Sequence, residues 1–210
     1  MSIPTNYSTL KTEVANVLAR TDLSTDVPTF IKYGEVDMNN RLRIREMIAS
    51  ANINPSASVK YVSLPTGFLE LISFNDVNGE PLKEVGLENL ANLANGTGSG
   101  VAEFFSISSR IDFERTGSAS DNFPMRYFKR SDVANDDAIS AAIIPNYPNI
   151  YVYSALVHAE PFLGNDARMP TWKVMYNAAV KEANERSAKN NRQLRTDIIN
   201  RRAFNIVSGN

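Results

Sequence analysis

A chain of 210 residues, 43% apolar and 21% charged, has the make-up of a folded globular protein, which excludes global disorder. It has no cysteine and one histidine, which excludes disulfides, a cysteine nucleophile and a zinc site built from several histidines of one chain. The net charge of −1 hides an asymmetry, because from Lys181 to Asn210 seven basic residues stand against three acidic ones, a basic tail on an acidic body.

The opening "MSIPTNYSTL" has no basic segment leading into an apolar run, so no secretory leader is expected. A first helix follows, capped by Ser8 or Thr9, with Leu10, Val14, Val17 and Leu18 on one face. "TDLSTDVP" breaks that pattern. Asp26 then caps a second helix with Pro28 in its first turn. Its stripe is Phe30, Ile31, Gly34, Met38 and Leu42, joined by Ile48, which predicts a helix from about Pro28 to Ala49. "NRLRIRE" near its end puts Arg41 and Arg45 on one face, with Asp37 four residues before Arg41. This run reads either as a solvated face or as a polar subunit interface. Glu35, Asp37 and Glu46, interleaved with the arginines, argue against sequence-specific DNA binding.

After "NINPSAS" the texture changes. "VKYVSL" and "LELISF" (Leu69 to Phe74) read as strands, Asn78-Gly79 as a turn, and Glu88 to Ala94 as a short helix. "FFSIS", "RIDFE" and "MRYFKR" read as three more strands, giving a small, mostly antiparallel β region. "NGTGSG" (Asn95 to Gly100) lacks the Gly-Lys-Ser/Thr of a phosphate cradle and reads as a loop tip. "SDVANDD" (Ser131 to Asp137) offers three aspartates but not the spacing of a calcium loop.

The longest uncharged run is Ala138 to Ala159, but Pro145, Asn146, Pro148 and Asn149 in it argue against a membrane span. Helical signals return at Pro148. Ile150 to Ala159 is apolar nearly all round, the mark of a helix buried on most sides. His158 and Glu160, two residues apart, project in different directions and form no catalytic dyad. His158 shares its face with Tyr151, Ser154 and Ala155 instead. No nucleophile motif occurs, and no carboxylate pair can be singled out for a hydrolase. A fourth helix begins near Asp166 to Pro170, with Trp172, Met175, Tyr176, Ala179 and Ala183 as its stripe. From Gln193 the helical signal fades into a tail that mixes Ile198, Ile199, Phe204, Ile206 and Val207 with arginines. Such a tail suits a segment that orders on a partner, with Arg192, Arg195, Arg201, Arg202 and Phe204 as the docking residues. A nucleic-acid-binding tail is the alternative reading.

The expected fold is therefore α+β and mainly helical. It is a four-helix bundle (residues 1–55 and 145–192) with an inserted small antiparallel β region (56–144) and an extended C-terminal arm (193–210). Arg41, Arg45, Tyr151 and His158 are the candidates for a subunit interface. No catalytic residue, cofactor or metal is assigned.

The chain resembles the head-to-tail adaptor proteins of short-tailed bacteriophages from about Tyr7 to Arg186. Four stretches carry the resemblance: "YSTLKTEVANVLARTDL", "VPTFIKYGEVDMNNRLRIREM", "VSLPTGFLELISF" and "YPNIYVYSALVHAEPFLGNDARMPTWKVMYNAAV". In the family these correspond to a first helix, a long second helix ending in an Arg-rich run, a strand entry and a helix pair. Gly67 stands where Asp is common in that strand entry.

The resemblance implies a non-enzymatic structural protein of the virion at the head–tail interface, assembled in the host cytoplasm. It implies a ring, usually of twelve copies, beneath the portal protein, with a C-terminal extension reaching the portal. Such a ring extends the DNA channel and docks tail nozzle or fibre proteins, and genomic DNA passes without sequence-specific binding. An acidic body suits a conduit that must not grip phosphates. The apolar circumference of the Ile150 helix suits burial by neighbouring subunits.

Overall fold

The computed structural model describes residues 3–20, 22–56, 59–94, 100–116, 121–135, 137–164 and 166–207, with side chains described as far as Lys189. In chain order the elements are α1 (Tyr7–Leu18), α2 (Val27–Arg41), β1 (Ile48–Ile53), β2 (Tyr61–Ser63), β3 (Phe68–Phe74), β4 (Lys83–Glu84), α3 (Leu87–Ala94), β5 (Phe104–Ile107), β6 (Arg110–Phe113), β7 (Phe123–Lys129), α4 (Ala138–Asn146), α5 (Pro148–His158), α6 (Glu160–Leu163) and α7 (Met169–Val207). The chain divides into two compact units. One is Met1–Met47 with Ser131–Asn210, and the other is Ile48–Arg130.

In the helical unit, α1 is opened by Asn6 rather than by Ser8 or Thr9. The Asn6 side chain accepts the Thr9 N–H at 2.9 Å, and the Thr9 hydroxyl oxygen accepts the Asn6 N–H at 3.1 Å. This reciprocal pair satisfies two donors that an uncapped end would leave bare. Leu10, Val14 and Leu18 are buried beneath it. α5 is the central helix and packs on α1, α2, α4 and α7. Ile150, Tyr151, Val152, Ser154, Ala155 and Leu156 are all buried. Its apolar circumference is therefore covered by the chain's own helices, which corrects the expectation that neighbouring subunits must cover it.

α2 crosses α5 at Gly34. A Cβ at that position would lie 2.8 Å from the Ser154 carbonyl carbon and 2.9 Å from the Ala155 nitrogen. Only glycine lets the two backbones approach this closely.

The β unit holds two sheets. One has the order β1-β7-β3 and the other β2-β6-β5-β4. β1 and β3 both run antiparallel to β7, whereas β4 and β5 are parallel. Ile53, Phe74, Phe105, Ile111, Phe113, Phe123 and Met125 form a buried core of its own. Phe74 meets the rings of Phe105, Phe113 and Phe123 at 5.0, 6.0 and 6.2 Å between centroids. Gly67, in the turn before β3, has φ +77°, and its carbonyl accepts the Arg130 N–H at 2.8 Å. That left-handed backbone explains glycine there.

This architecture overturns the expected four-helix bundle with a small β insertion and an extended arm. The described residues form seven α-helices and two sheets with seven strands. Three local causes account for the difference. α2 stops at Arg41 instead of Ala49, because Leu42 turns to extended backbone, Leu42 and Ile44 point inward two residues apart, and Arg45–Met47 form a single 3-10 turn that buries Met47. Ile48 and Ala49 then enter β1, paired with Phe128 and Tyr127 of β7. "AISAAIIPN" forms α4, capped by Asp137, whose carboxylate accepts the Ser140 N–H at 2.9 Å. Finally, α7 carries helical backbone to Val207, through the segment expected to be an extended arm.

Candidate functional site

The Arg-rich run after α2 is held by α7. The Arg43 N–H donates to Asn184 Oδ1 at 2.9 Å, and Asn184 Nδ2 donates to the Arg41 carbonyl at 3.0 Å. The Arg45 N–H donates to the Ser187 hydroxyl at 3.1 Å. Arg41 reaches Asn177 at 2.7 Å, pairs with Asp37 at 3.3 Å and lies over the Tyr176 ring. The Tyr176 hydroxyl donates to Asp37 at 2.7 Å, and burial together with that carboxylate pushes the phenol up from its ordinary value. The Arg41 side chain is thus engaged within its own subunit. Arg45 is exposed.

A second polar cluster lies between α2 and α5. The Glu35 side chain is 0% exposed. Its Oε1 accepts the Val133 N–H at 2.7 Å, the Ser131 hydroxyl at 3.1 Å and the Tyr151 hydroxyl at 3.2 Å. The Ser131 and Tyr151 hydroxyls also contact each other. Asn39 holds Ser131 by its backbone, donating to the carbonyl at 3.0 Å and accepting the N–H at 2.9 Å. Lys32, half exposed, places its ammonium 3.3 Å from Glu35 and 3.3 Å from Asp132. Burial raises the Glu35 carboxyl above its ordinary value, opposed by the Val133 N–H, Lys32 and Ser131. Burial and the neighbouring Glu35 push the Tyr151 phenol up as well.

Perturbed titrating groups in a cluster are one signature of a catalytic site. Here, however, Glu35 has no exposed surface and its contacts are to its own chain. The arrangement locks the Ser131–Val133 segment onto α2.

The sequence-predicted residues are thus dispersed. Tyr151 is 0% exposed and belongs to the Glu35 lock. His158, partly exposed, stands at the end of α5 with its ring 6.4 Å from that of Tyr33, while Glu160 opens α6. The side chains of Arg192, Arg195, Arg201, Arg202 and Phe204 lie outside the described residues, on the backbone of α7. Among the described residues no group of three metal-binding side chains forms, and no helix is long and apolar enough to cross a membrane.

Sequence reasoning missed the lock, although it left a sign. Glu35 sits four residues after Ile31 and three before Met38, a carboxylate inside the apolar stripe of α2. It also missed an apolar groove of about 270 Å3 between the N-terminal segment, α1, α5 and α7. Met175, read as part of the buried stripe, is 47% exposed at its edge, and Val180 takes the inward place. In comparison with known proteins, the SU10 adaptor protein family matches the chain over residues 5–197. No curated protein matches it.

Proposed function

Because the chain belongs to the SU10 adaptor protein family, a structural adaptor of bacteriophage virions, we propose that it forms a ring beneath the portal protein. The ring, of twelve copies, extends the DNA channel and receives the tail nozzle or fibre proteins. The helical unit is the ring body and the β unit is the tail-side surface. The distal part of α7, with Arg192, Arg195, Arg201, Arg202 and Phe204, is the portal-docking element.

One observation beyond the family supports this reading. Helical backbone continues from Ser187, which is buried, to Val207. The twenty residues that follow Ser187 make about 30 Å of helix. Both the net positive charge of this stretch and its apolar residues suit docking on a protein surface.

Deletion of residues 193–210 tests the proposal. The shortened chain is expected to keep its helical circular dichroism and melting transition but to lose attachment to portal-bearing heads. Retained attachment overturns the docking role. DNA affinity that falls steeply with salt, and that the deletion removes, supports the nucleic-acid reading instead.

A further inference from the structure

The outer strands of a sheet carry backbone groups that no neighbour takes, and proteins protect them with bulges, charges or shortness. The β unit has four such strands, β1 and β3 in one sheet and β2 and β4 in the other. β3 is broken by two register shifts against β7, and its outer side is taken up at one end, where the Phe74 carbonyl accepts the Leu82 N–H at 2.9 Å. β2 is three residues long, and β4 is the two charged residues Lys83 and Glu84. β1 has none of these protections. It runs for six residues in unbroken register with β7, and "IASANI" holds neither a charge nor a proline.

The ladder fixes which groups of β1 are left over. Successive residues of a strand turn their N–H and C=O to opposite sides. On β7 the Pro124 carbonyl accepts the Asn75 N–H at 3.1 Å and the Arg130 N–H donates to the Gly67 carbonyl at 2.8 Å, so its even-numbered residues face β3. Phe123, Met125 and Tyr127 therefore face β1, where they meet Ile53, Ala51 and Ala49. Ser50 and Asn52 are left to turn their N–H and C=O outward. Both residues are exposed, and among the described residues nothing bonds to those groups.

We propose that the free edge of β1 receives one strand of a tail protein, which extends the β1-β7-β3 sheet by main-chain hydrogen bonds to Ser50 and Asn52. This rests on the adaptor reading, in which the β unit faces the tail, and it names the edge that makes the contact. A second copy of this chain is not the occupant. β1 set on β1 is a two-fold pair that closes at two copies, and the described residues offer no other regular edge to pair with it head to tail. The two faces of the sheet specify the incoming segment. On the inner face Ala49 and Ala51 are small, partly buried and packed on the core, so a larger apolar residue beside them would extend that core. On the outer face Ser50 stands opposite Arg126, which is exposed and makes no ion pair among the described residues. An extended segment that alternates apolar with acidic residues matches both faces.

Proline separates the free edge from the ladder. It lacks the N–H, so it disrupts only added pairing where that N–H points outward. Ser50→Pro is expected to melt close to the unmodified chain and to join portal-bearing heads. Those heads are expected to take up the tail proteins of the same phage about tenfold less well, the scale of one lost hydrogen bond. Ser50→Ala, which keeps the N–H, is expected to leave uptake normal, and Arg126→Glu to cut it about threefold. Normal uptake by Ser50→Pro heads overturns the proposal and leaves the adaptor reading intact. An equal loss with Ser50→Ala overturns it too, because the contact is then made by the side chain. Normal uptake with Arg126→Glu overturns the acidic partner. Should Ser50→Pro fail to fold, amide exchange decides, read by mass spectrometry on the β1 peptide of unmodified heads before and after tail addition. The Ser50 and Asn52 amides are expected to slow about tenfold or more on tail addition. Exchange that does not change overturns the proposal. Exchange already slow in heads alone also overturns it and assigns the edge to another copy or to the portal. Unmodified chains that join no heads overturn the adaptor reading, and the proposal with it.

Discussion

Glu35 and Gly34 are neighbours on α2 that face α5 for opposite reasons. Glu35 is buried because three donors of its own chain converge on one carboxylate oxygen. Glu35→Ala leaves the Val133 N–H without its acceptor and the Ser131 and Tyr151 hydroxyls with only each other, a loss of roughly 1–3 kcal/mol in unfolding free energy. The raised carboxyl adds a pH dependence with a definite sign. The folded chain holds the Glu35 proton more tightly than the unfolded chain does. That stability is present below the ordinary glutamate value of about 4.3 and is lost as the pH rises through the raised value. Glu35→Gln cannot ionise, so urea midpoints should show the unmodified chain losing stability relative to this variant as the pH rises through that window. A difference that stays flat with pH would remove the raised carboxyl from the account. Gly34→Ala drives a methyl group into the backbone of Ser154 and Ala155, which cannot move aside as a flexible side chain could. It should lower stability by roughly 1–3 kcal/mol, visible as a fall in melting temperature. A variant that melts unchanged would mean that α2 and α5 can separate freely at this crossing.

At the level of elements, the end of α2 is decided by a partner 141 to 143 residues away. Asn184 of α7 accepts the Arg43 N–H and donates to the Arg41 carbonyl, so the chain leaves the helix with its polar groups satisfied. Asn184→Ala should destabilise the chain by roughly 1–2 kcal/mol and speed amide exchange at Arg43, which hydrogen-exchange NMR reads residue by residue. Protection at Arg43 that survives the substitution would assign the helix stop to another cause. This long-range stop is why the sequence reading carried α2 on to Ala49. The local pattern from Phe30 to Leu42 is helical, and nothing near Leu42 announces Asn184. β1 was missed with it, since "IASANI" becomes a strand through pairing with β7. Elements with strong local periodicity were legible: α1, α5, the start of α7, and the strands around "LELISF" and "RIDF". The candidate site was less so. The Glu35 lock draws together residues 96 to 116 positions apart. Only a carboxylate in the α2 stripe hinted at it.

At the scale of the whole chain, the β unit is a single continuous insertion with its own aromatic core. Its ends meet, because Ile48 and Phe128 are direct partners in the β1–β7 ladder, which sets their Cα atoms about 5 Å apart. A unit of this size with a buried core and adjoining ends has what independent folding requires. Residues 48–130 expressed alone should therefore melt cooperatively, with a strand-rich circular dichroism spectrum. The reciprocal variant, with a short Gly-Ser bridge from Met47 to Ser131, should keep its helical signal, because the Glu35 and Asn39 bonds to Ser131 lie wholly within the helical unit. These two results make the division of labour testable. If the helical unit is the ring body and the β unit receives the tail, the bridged variant joins portal-bearing heads yet yields particles that take up no tail proteins. Free residues 48–130 in excess should then bind those tail proteins and block their addition to unmodified heads. A bridged variant that is folded but never joins heads places the β unit in head attachment, and the assignment of the two units must be reversed.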